Sequence, residues 1–347
     1  MRRGGRKRRR THSPDSAFSS DSETECTNSN AQNPQNQKTP QDEHSKNSHN
    51  LQVGAKTEMQ LLIDALRDGT IALKNRSSAI LIKKLKHIDE MIGLEKLKVF
   101  VTEVFYYHAA QVPCDSMFPN ICITGVPGSG KTEVCLRIAS LLQYILFSTT
   151  CAVPVLGRAD LVGRVLGETA IKTKQCLAKH RQKCVFIDEV YSLGNGNSDH
   201  DSFSKEAVDT ICGFLSEHVA TCAMVIAGYQ NETNECFFSI NPGLERRFPW
   251  RFTLEKYAAS ELLDIFLYKL PKFQFEDVSL VYDFFVSSKS FGAADVISFI
   301  NKVLLVHCRA VCMNGCPRKK ISSATLKSAI TKVHVNQPER LDSHMYM

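Results

Sequence analysis

The sequence predicts an α/β fold in which a parallel sheet is covered on both faces by helices and followed by a smaller, helical domain. Three observations predict it. Short apolar runs alternate with amphipathic stretches from about Asp89 to Leu254, the pattern of strands joined by helical crossovers. One of these runs leads directly into a glycine-rich loop and then a helical stripe. After Tyr257 the apolar period is helical.

Residues 1–55 read as a disordered basic and polar tail, since Ser, Asn, Gln, Thr and charges dominate after Thr11 and Phe18 is the single aromatic before Ser48. Arg2, Arg3, Arg6, Lys7, Arg8, Arg9 and Arg10 account for the whole net charge of +7, so the remainder of the chain is balanced. That excludes a basic footprint spread over the surface and leaves three roles for the tail: nuclear import, nonspecific phosphate contact, or a solvated extension. No run comes near the roughly 18 apolar residues of a membrane span, and the start lacks the apolar core of a signal peptide. A nuclear or cytoplasmic protein fits best. The 13 cysteines sit singly in apolar patterns such as Ile121-Cys122-Ile123, as small buried hydrophobes of a reducing compartment.

Residues 56–88 form a helical lead-in by the spacing of Leu61, Leu62, Ala65 and Leu66. Strands are expected at Asn120–Thr124, Cys184–Ile187 and Cys222–Ala227, with a weaker one near Ala152–Leu156. These belong to a domain of parallel sheet and helices over 89–256. The helical domain spans 257–335, opens with Ser260 as cap before Glu261–Leu270 and contains the long amphipathic run Ala293–Cys312. A flexible terminus, 336–347, closes the chain.

Gly125-Val126-Pro127-Gly128-Ser129-Gly130-Lys131-Thr132 matches G-x-x-x-x-G-K-[ST], with an apolar strand before it and a helix after it. Val134, Cys135, Ile138, Leu141, Leu142 and Ile145 fall on one face of that helix, so it packs on the sheet with its N-terminus toward the loop. Backbone amides there suit phosphate, Lys131 neutralises the β- and γ-phosphates of ATP, and Thr132 ligates Mg²⁺. In Val185-Phe186-Ile187-Asp188-Glu189 a buried strand ends in two carboxylates, 57 residues after Lys131. Asp188 suits Mg²⁺, and Glu189 suits the general base that polarises the attacking water.

These motifs, with Met91-Ile92-Gly93-Leu94, Arg158-Ala159-Asp160-Leu161-Val162-Gly163, Val190-Tyr191-Ser192-Leu193, Ala227-Gly228-Tyr229 and Asn241-Pro242-Gly243-Leu244-Glu245-Arg246-Arg247-Phe248-Pro249, resemble the CbbX/CfxQ group of AAA+ proteins, which includes red-type rubisco activases and SpoVK-like proteins. The likeness runs from about Ile88 to Ala310. It implies an αβα P-loop ATPase domain with a helical lid, and a ring, usually a hexamer, with ATP held between subunits. By that likeness Arg247 is the arginine finger reaching the neighbour's γ-phosphate, with Arg246 the competing candidate, and Ile92 and Gly93 line the adenine pocket.

Two departures stand out. Where relatives carry an aromatic pore loop, this chain has Gly163-Arg164-Val165-Leu166-Gly167, either an apolar paddle or an ordinary loop. Where relatives begin a lid helix Gly-Asn-Ala-Arg, here Phe291-Gly292-Ala293-Ala294-Asp295 ends in an acid, which cannot replace a cation beside phosphate. Gln230 is a candidate polar sensor. His307, Cys308, Cys312 and Cys316 offer zinc-ligand chemistry, but Ile300, Val303, Leu304, His307, Cys308, Val311 and Cys312 make one apolar stripe that fits a packed core better. Gly194–Ser202 reads as a mobile surface loop. The sequence thus points to an ATPase remodelling a protein client, against a weakly hydrolysing nucleotide switch or a nucleic-acid-directed ATPase acting through the tail.

Overall fold

The computed structural model describes residues 56–111, 119–165, 167–194, 202–288 and 291–335. The readings of the tail and the flexible C-terminus, the Leu166 position and nearly all of the loop after Leu193 lie outside them.

The chain opens with α1 (Glu58–Arg67), α2 (Ser78–Asp89) and α3 (Glu95–Ala109). Thr57 caps α1, accepting the Gln60 amide at 3.2 Å while the Gln60 side chain accepts the Thr57 amide. The buried face is Met59, Leu62, Ile63 and Leu66, and Leu61, expected on it, is half exposed at 52%. Next come β1 (Ile121–Gly125), α4 (Lys131–Phe147), β2 (Val155–Leu156), the short α5 (Arg158–Leu161), α6 (Glu168–Lys179), β3 (Lys183–Ile187) and a 3₁₀ turn, Val190–Leu193. After them lie α7 (Ser202–Glu217), β4 (Cys222–Gly228), α8 (Gln230–Thr233), a π turn (Asn234–Phe238), α9 (Gly243–Arg247) and β5 (Trp250–Leu254).

The sheet runs β2-β3-β4-β1-β5 with every pairing parallel. Its central strands are buried on both faces, as parallel strands must be when helices cover each side. Period-two alternation divides β4: Ala223, Val225 and Ala227 join a core with α1 to α4, whereas Cys222, Met224 and Ile226 join a second core with α7. The three layers follow. The lead-in helices are part of this packing, since Leu62, Leu81 and Leu85 share a core with Ile138 and Leu142 of α4. Arg76 fixes the join: its Nε donates to the Tyr144 carbonyl at 2.7 Å and its Nη2 to those of Ile145 and Leu146 at 3.0 Å, satisfying the last carbonyls of α4.

The remaining elements are α10 (Ala259–Lys269), β6 (Gln274–Phe275), α11 (Ser279–Ser287), α12 (Ala293–Asn314), β7 (Lys320–Ile321) and α13 (Ser323–Val335), with β6 and β7 pairing in parallel. Phe266, Phe284, Phe285 and Phe299 centre a third core. Ser260 does not cap α10. It lies inside the helix, because Glu261 reaches back to accept the Ala258 amide at 2.8 Å and so moves the start two residues earlier.

By length and composition alone α12 would cross a membrane, contrary to the sequence reading of no such run, but it packs Val296, Phe299, Ile300, Val303 and His307 into this core. The expected stripe stops there: Cys308 and Cys312 are exposed. His307 Nε2 pairs with the Arg318 carbonyl at 3.0 Å, and among the described residues no group of three or more His, Cys, Asp or Glu side chains gathers as a metal cluster would. Nor is any described cysteine bonded. Cys122, Cys135, Cys184, Cys212 and Cys222 are buried as expected, whereas Cys151 is exposed.

Candidate functional site

The glycine-rich loop leaves the C-terminal end of β1, which lies between β4 and β5, and turns into α4. Gly125 is required by packing, since a Cβ there would stand 2.8 Å from the Leu254 carbonyl oxygen. Gly128 and Gly130 are required by conformation, with φ of +74° and +85°. Gly130 caps α4 without a side chain, so the first-turn amides have no side-chain cap and are available to an anion. The Ser129 hydroxyl is buried with no partner. An orphaned donor inside a loop of amides fits a phosphate.

Lys131 Nζ donates to the carbonyls of Gly125 and Val126, both at 2.9 Å, and stands 4.5 Å from the Tyr229 ring centroid. Burial lowers its pKa, against the opposing pull of Asp188 and Glu189. Thr132 Oγ1 donates to Asp188 Oδ2 at 2.7 Å, and Asp188 Oδ1 accepts the Glu189 amide at 3.0 Å. Two oxygen ligands suited to Mg²⁺ therefore meet beside the lysine. Glu189 is left-handed, φ 49° and ψ 49°, at the start of the 3₁₀ turn. The Tyr191 phenol is pushed up to about 12, by burial first and then by the nearby Glu189 charge. Its ring stacks on Tyr229 at 5.3 Å and 22°.

The helical domain touches this loop directly. Gly128 O accepts the Ala294 amide at 3.0 Å, and a Cβ on Gly292 would stand 3.1 Å from the same oxygen. Asp295, the acid where relatives carry a cation, turns Oδ2 onto the Gly292 amide at 2.9 Å and caps α12. A cavity of about 320 Å³ opens alongside, lined among others by Met91, Ile92, Gly130, Tyr257, Ala294 and Ile297. Ile92 is in this lining. Gly93 is not in that lining; it turns the chain at φ +68°, where Glu261 leaves no room for a Cβ. A larger cavity of about 540 Å³ lies along the edge strand β5 and contains none of the candidate residues.

Arg247 is held within its own chain: Nε and Nη2 donate to Ser216 Oγ at 3.0 and 2.7 Å, and Nη1 to the Gly243 carbonyl at 2.9 Å. Arg246 is exposed. The Arg247 carbonyl accepts from Asn120 Nδ2 at 2.9 Å, while Asn120 Oδ1 takes the Met224 amide at 2.8 Å, which ties the finger candidate to the sheet. Gln230 is exposed at the start of α8. In the Gly163–Gly167 segment the Gly163 amide donates to Thr169 Oγ1 at 3.0 Å and the Arg164 amide to Glu168 Oε2 at 2.8 Å, while Val165 projects, 63% exposed.

Sequence reasoning quoted Tyr191 and Tyr229 only as parts of a family motif and gave them no role. Two aromatics flanking the carboxylates and the neighbouring strand end were the available signal. Asn120, a polar residue heading an apolar strand, was another.

Residues 121–256 match the family described as ATPase family associated with various cellular activities. A cfxQ-like protein of Acanthamoeba polyphaga mimivirus is 28% identical over 272 residues, 75% of this chain and 66% of the relative. The chloroplastic cbbX homologue of Guillardia theta is 32% identical over 188 residues, 51% of this chain and 49% of that protein. The chain carries an AAA ATPase domain and is similar to the CbbX/CfxQ-like AAA+ proteins. A ribulose bisphosphate carboxylase/oxygenase activase of Cyanidioschyzon merolae is 31% identical over 196 residues, 53% of this chain and 61% of the activase. The chain thus spans between about half and two thirds of these relatives' lengths. An AAA domain implies ATP binding, typically with Mg²⁺.

Proposed function

We propose that this protein binds ATP with Mg²⁺ and hydrolyses it in a homo-oligomeric ring, a hexamer by family habit, to remodel a protein client. The observation that carries the reading is the Thr132–Asp188 hydrogen bond, which brings the metal-ligand oxygens of two motifs together beside Lys131. The amides of the Gly128–Thr132 segment and Lys131 hold the phosphates, and Thr132 and Asp188 hold the metal. Mg²⁺ held there would draw charge from the phosphate oxygens. Glu189 takes a proton from water as its oxygen bonds to the γ-phosphorus and the bond to the β,γ-bridging oxygen breaks. Arg247 of a neighbouring copy supplies the cation that this charge build-up needs, which makes turnover depend on assembly.

The protein client rests on the likeness to an activase and on exposed Val165 in the pore-loop position. The basic tail favours a nuclear location. Sedimentation of Glu189→Gln with ATP tests the reading: a ring that holds ATP without turnover supports it, and a monomer under saturating ATP contradicts it.

A second reading, a nucleotide switch with little turnover, is favoured by Asp295. Committed to capping α12, it leaves the helix start at Gly128 without the arginine of relatives. Saturable ATP binding with no measurable turnover in the assembled protein would select it.

A further inference from the structure

We propose that Arg158 is a positioning residue for Glu189: it holds the turn that follows the base and ties that turn to residues 163–165. The inference rests on the ATPase reading above. Glu189 carries a side chain on a left-handed backbone, a conformation that persists only where the surrounding structure imposes it. Here the 3₁₀ turn imposes it. The Glu189 carbonyl accepts the Ser192 amide at 2.8 Å, and the turn ends on the carbonyls of Ser192 and Leu193, to which Arg158 Nη1 donates at 2.8 and 3.3 Å. The same nitrogen donates to Ser204 Oγ on α7 at 2.8 Å. Leu193 and Ser204 are buried, where water competes little for these bonds. The exit of the turn is closed in as well, since a Cβ on Gly194 would stand 1.8 Å from the Cys236 carbonyl oxygen.

Arg158 is the first residue of α5, and α5 is bound to α6. Lys172 Nζ donates to the carbonyls of Ala159 and Val162 at 2.7 and 2.8 Å, and Thr173 Oγ1 to that of Leu161 at 2.8 Å. The amides of Gly163 and Arg164 continue the series onto Thr169 and Glu168. One hydrogen-bonded unit results, with exposed Val165 at its outer end and Arg158 at the end that meets the turn. Leu161 shares a core with Val190 and Leu193, but apolar contact has no direction, whereas the guanidinium fixes where the turn ends. A displacement of residues 163–165 therefore reaches Glu189 through Arg158, and a base misplaced by about 1 Å can cost on the order of a hundredfold in rate.

The full chain, labelled with 3-fluorotyrosine and assigned through Tyr191→Phe and Tyr268→Phe, tests the inference by fluorine NMR without nucleotide. Tyr191 lies in the turn and Tyr268 on α10. Arg158→Lys, which keeps the charge and loses the fork, shifts the Tyr191 resonance and leaves that of Tyr268 in place. Gly163→Ala sets a Cβ 2.8 Å from Glu168 Cβ and 2.9 Å from the Thr169 nitrogen, so it displaces residues 163–165. It shifts Tyr191 in the unsubstituted background and not beside Arg158→Lys. In steady state Arg158→Lys lowers kcat about tenfold with KM and ATP affinity within about twofold, the signature of lost positioning rather than lost binding. An unmoved Tyr191 resonance or full kcat in Arg158→Lys overturns the inference, as does a Gly163→Ala shift that is equal in both backgrounds. Equal movement of Tyr268 in Arg158→Lys, which marks a general loss of structure, overturns it too. Because the resonances are read without nucleotide, a protein that shows both shifts but binds no ATP upholds the link from Arg158 to the turn and faults the ATPase reading alone.

Discussion

Thr132 Oγ1 and Asp188 Oδ2 meet at 2.7 Å, joining the first turn of α4 to the end of β3 across 56 residues of sequence. The bond exists because β1 and β3 flank β4 in one parallel sheet, so both strands deliver their C-terminal loops to the same edge. A metal held by both oxygens would take the place of this hydrogen bond.

Thr132→Val keeps the shape of the side chain and removes the hydroxyl. In the unsubstituted protein ATP with Mg²⁺ at a hundred times its Kd stabilises the fold by about 2.7 kcal/mol, seen as a higher Tm, and ATP with EDTA gives much less. The variant shows the smaller rise under both conditions in differential scanning fluorimetry.

Gly125→Ala forces a methyl against the Leu254 carbonyl and Cβ, at 2.8 and 2.9 Å. Both belong to the neighbouring strand and cannot turn aside. Urea unfolding shows a loss of about 1–3 kcal/mol, as for overpacked cores.

Asp295→Ala removes the cap on α12 and costs about 1 kcal/mol, while Asp295→Asn, which keeps an acceptor, costs less. Asp295→Arg separates two effects: the nucleotide-free Tm falls with the cap, and ATP affinity rises because a cation now stands near Gly128. Paired Tm and titration measurements read both.

Arg247→Ala leaves ATP affinity within about twofold and lowers turnover by about 10³ or more, the scale of a finger supplied in trans. Arg246→Ala has the smaller effect. Turnover assayed over a range of protein concentrations distinguishes the pair, because the finger variant loses the steep rise that assembly gives.

The phosphate loop and its helix were legible because their residues are constrained twice, by chemistry and by period: all six apolar positions named on α4, from Val134 to Ile145, are buried. β5 was not legible. As an edge strand it alternates Trp250 and Phe252, packed against Phe100 at 4.8 and 5.1 Å, with exposed Arg251 and Thr253, so it never forms an apolar run. The join of the lead-in to α4 was hidden for another reason, since Arg76 acts through backbone carbonyls about 70 residues away and no local pattern marks it. Asp295 was read from chemistry alone. Its place three residues after Gly292 is also a capping position, which gives the carboxylate a structural use that the missing cation does not explain.

Steady-state ATP hydrolysis by the full chain across a concentration series, beside Lys131→Ala and Glu189→Gln, tests the central claim most directly. Turnover per chain that climbs steeply with concentration and disappears in both variants is the predicted result. Hydrolysis that is independent of concentration, or that survives Glu189→Gln unchanged, would contradict it.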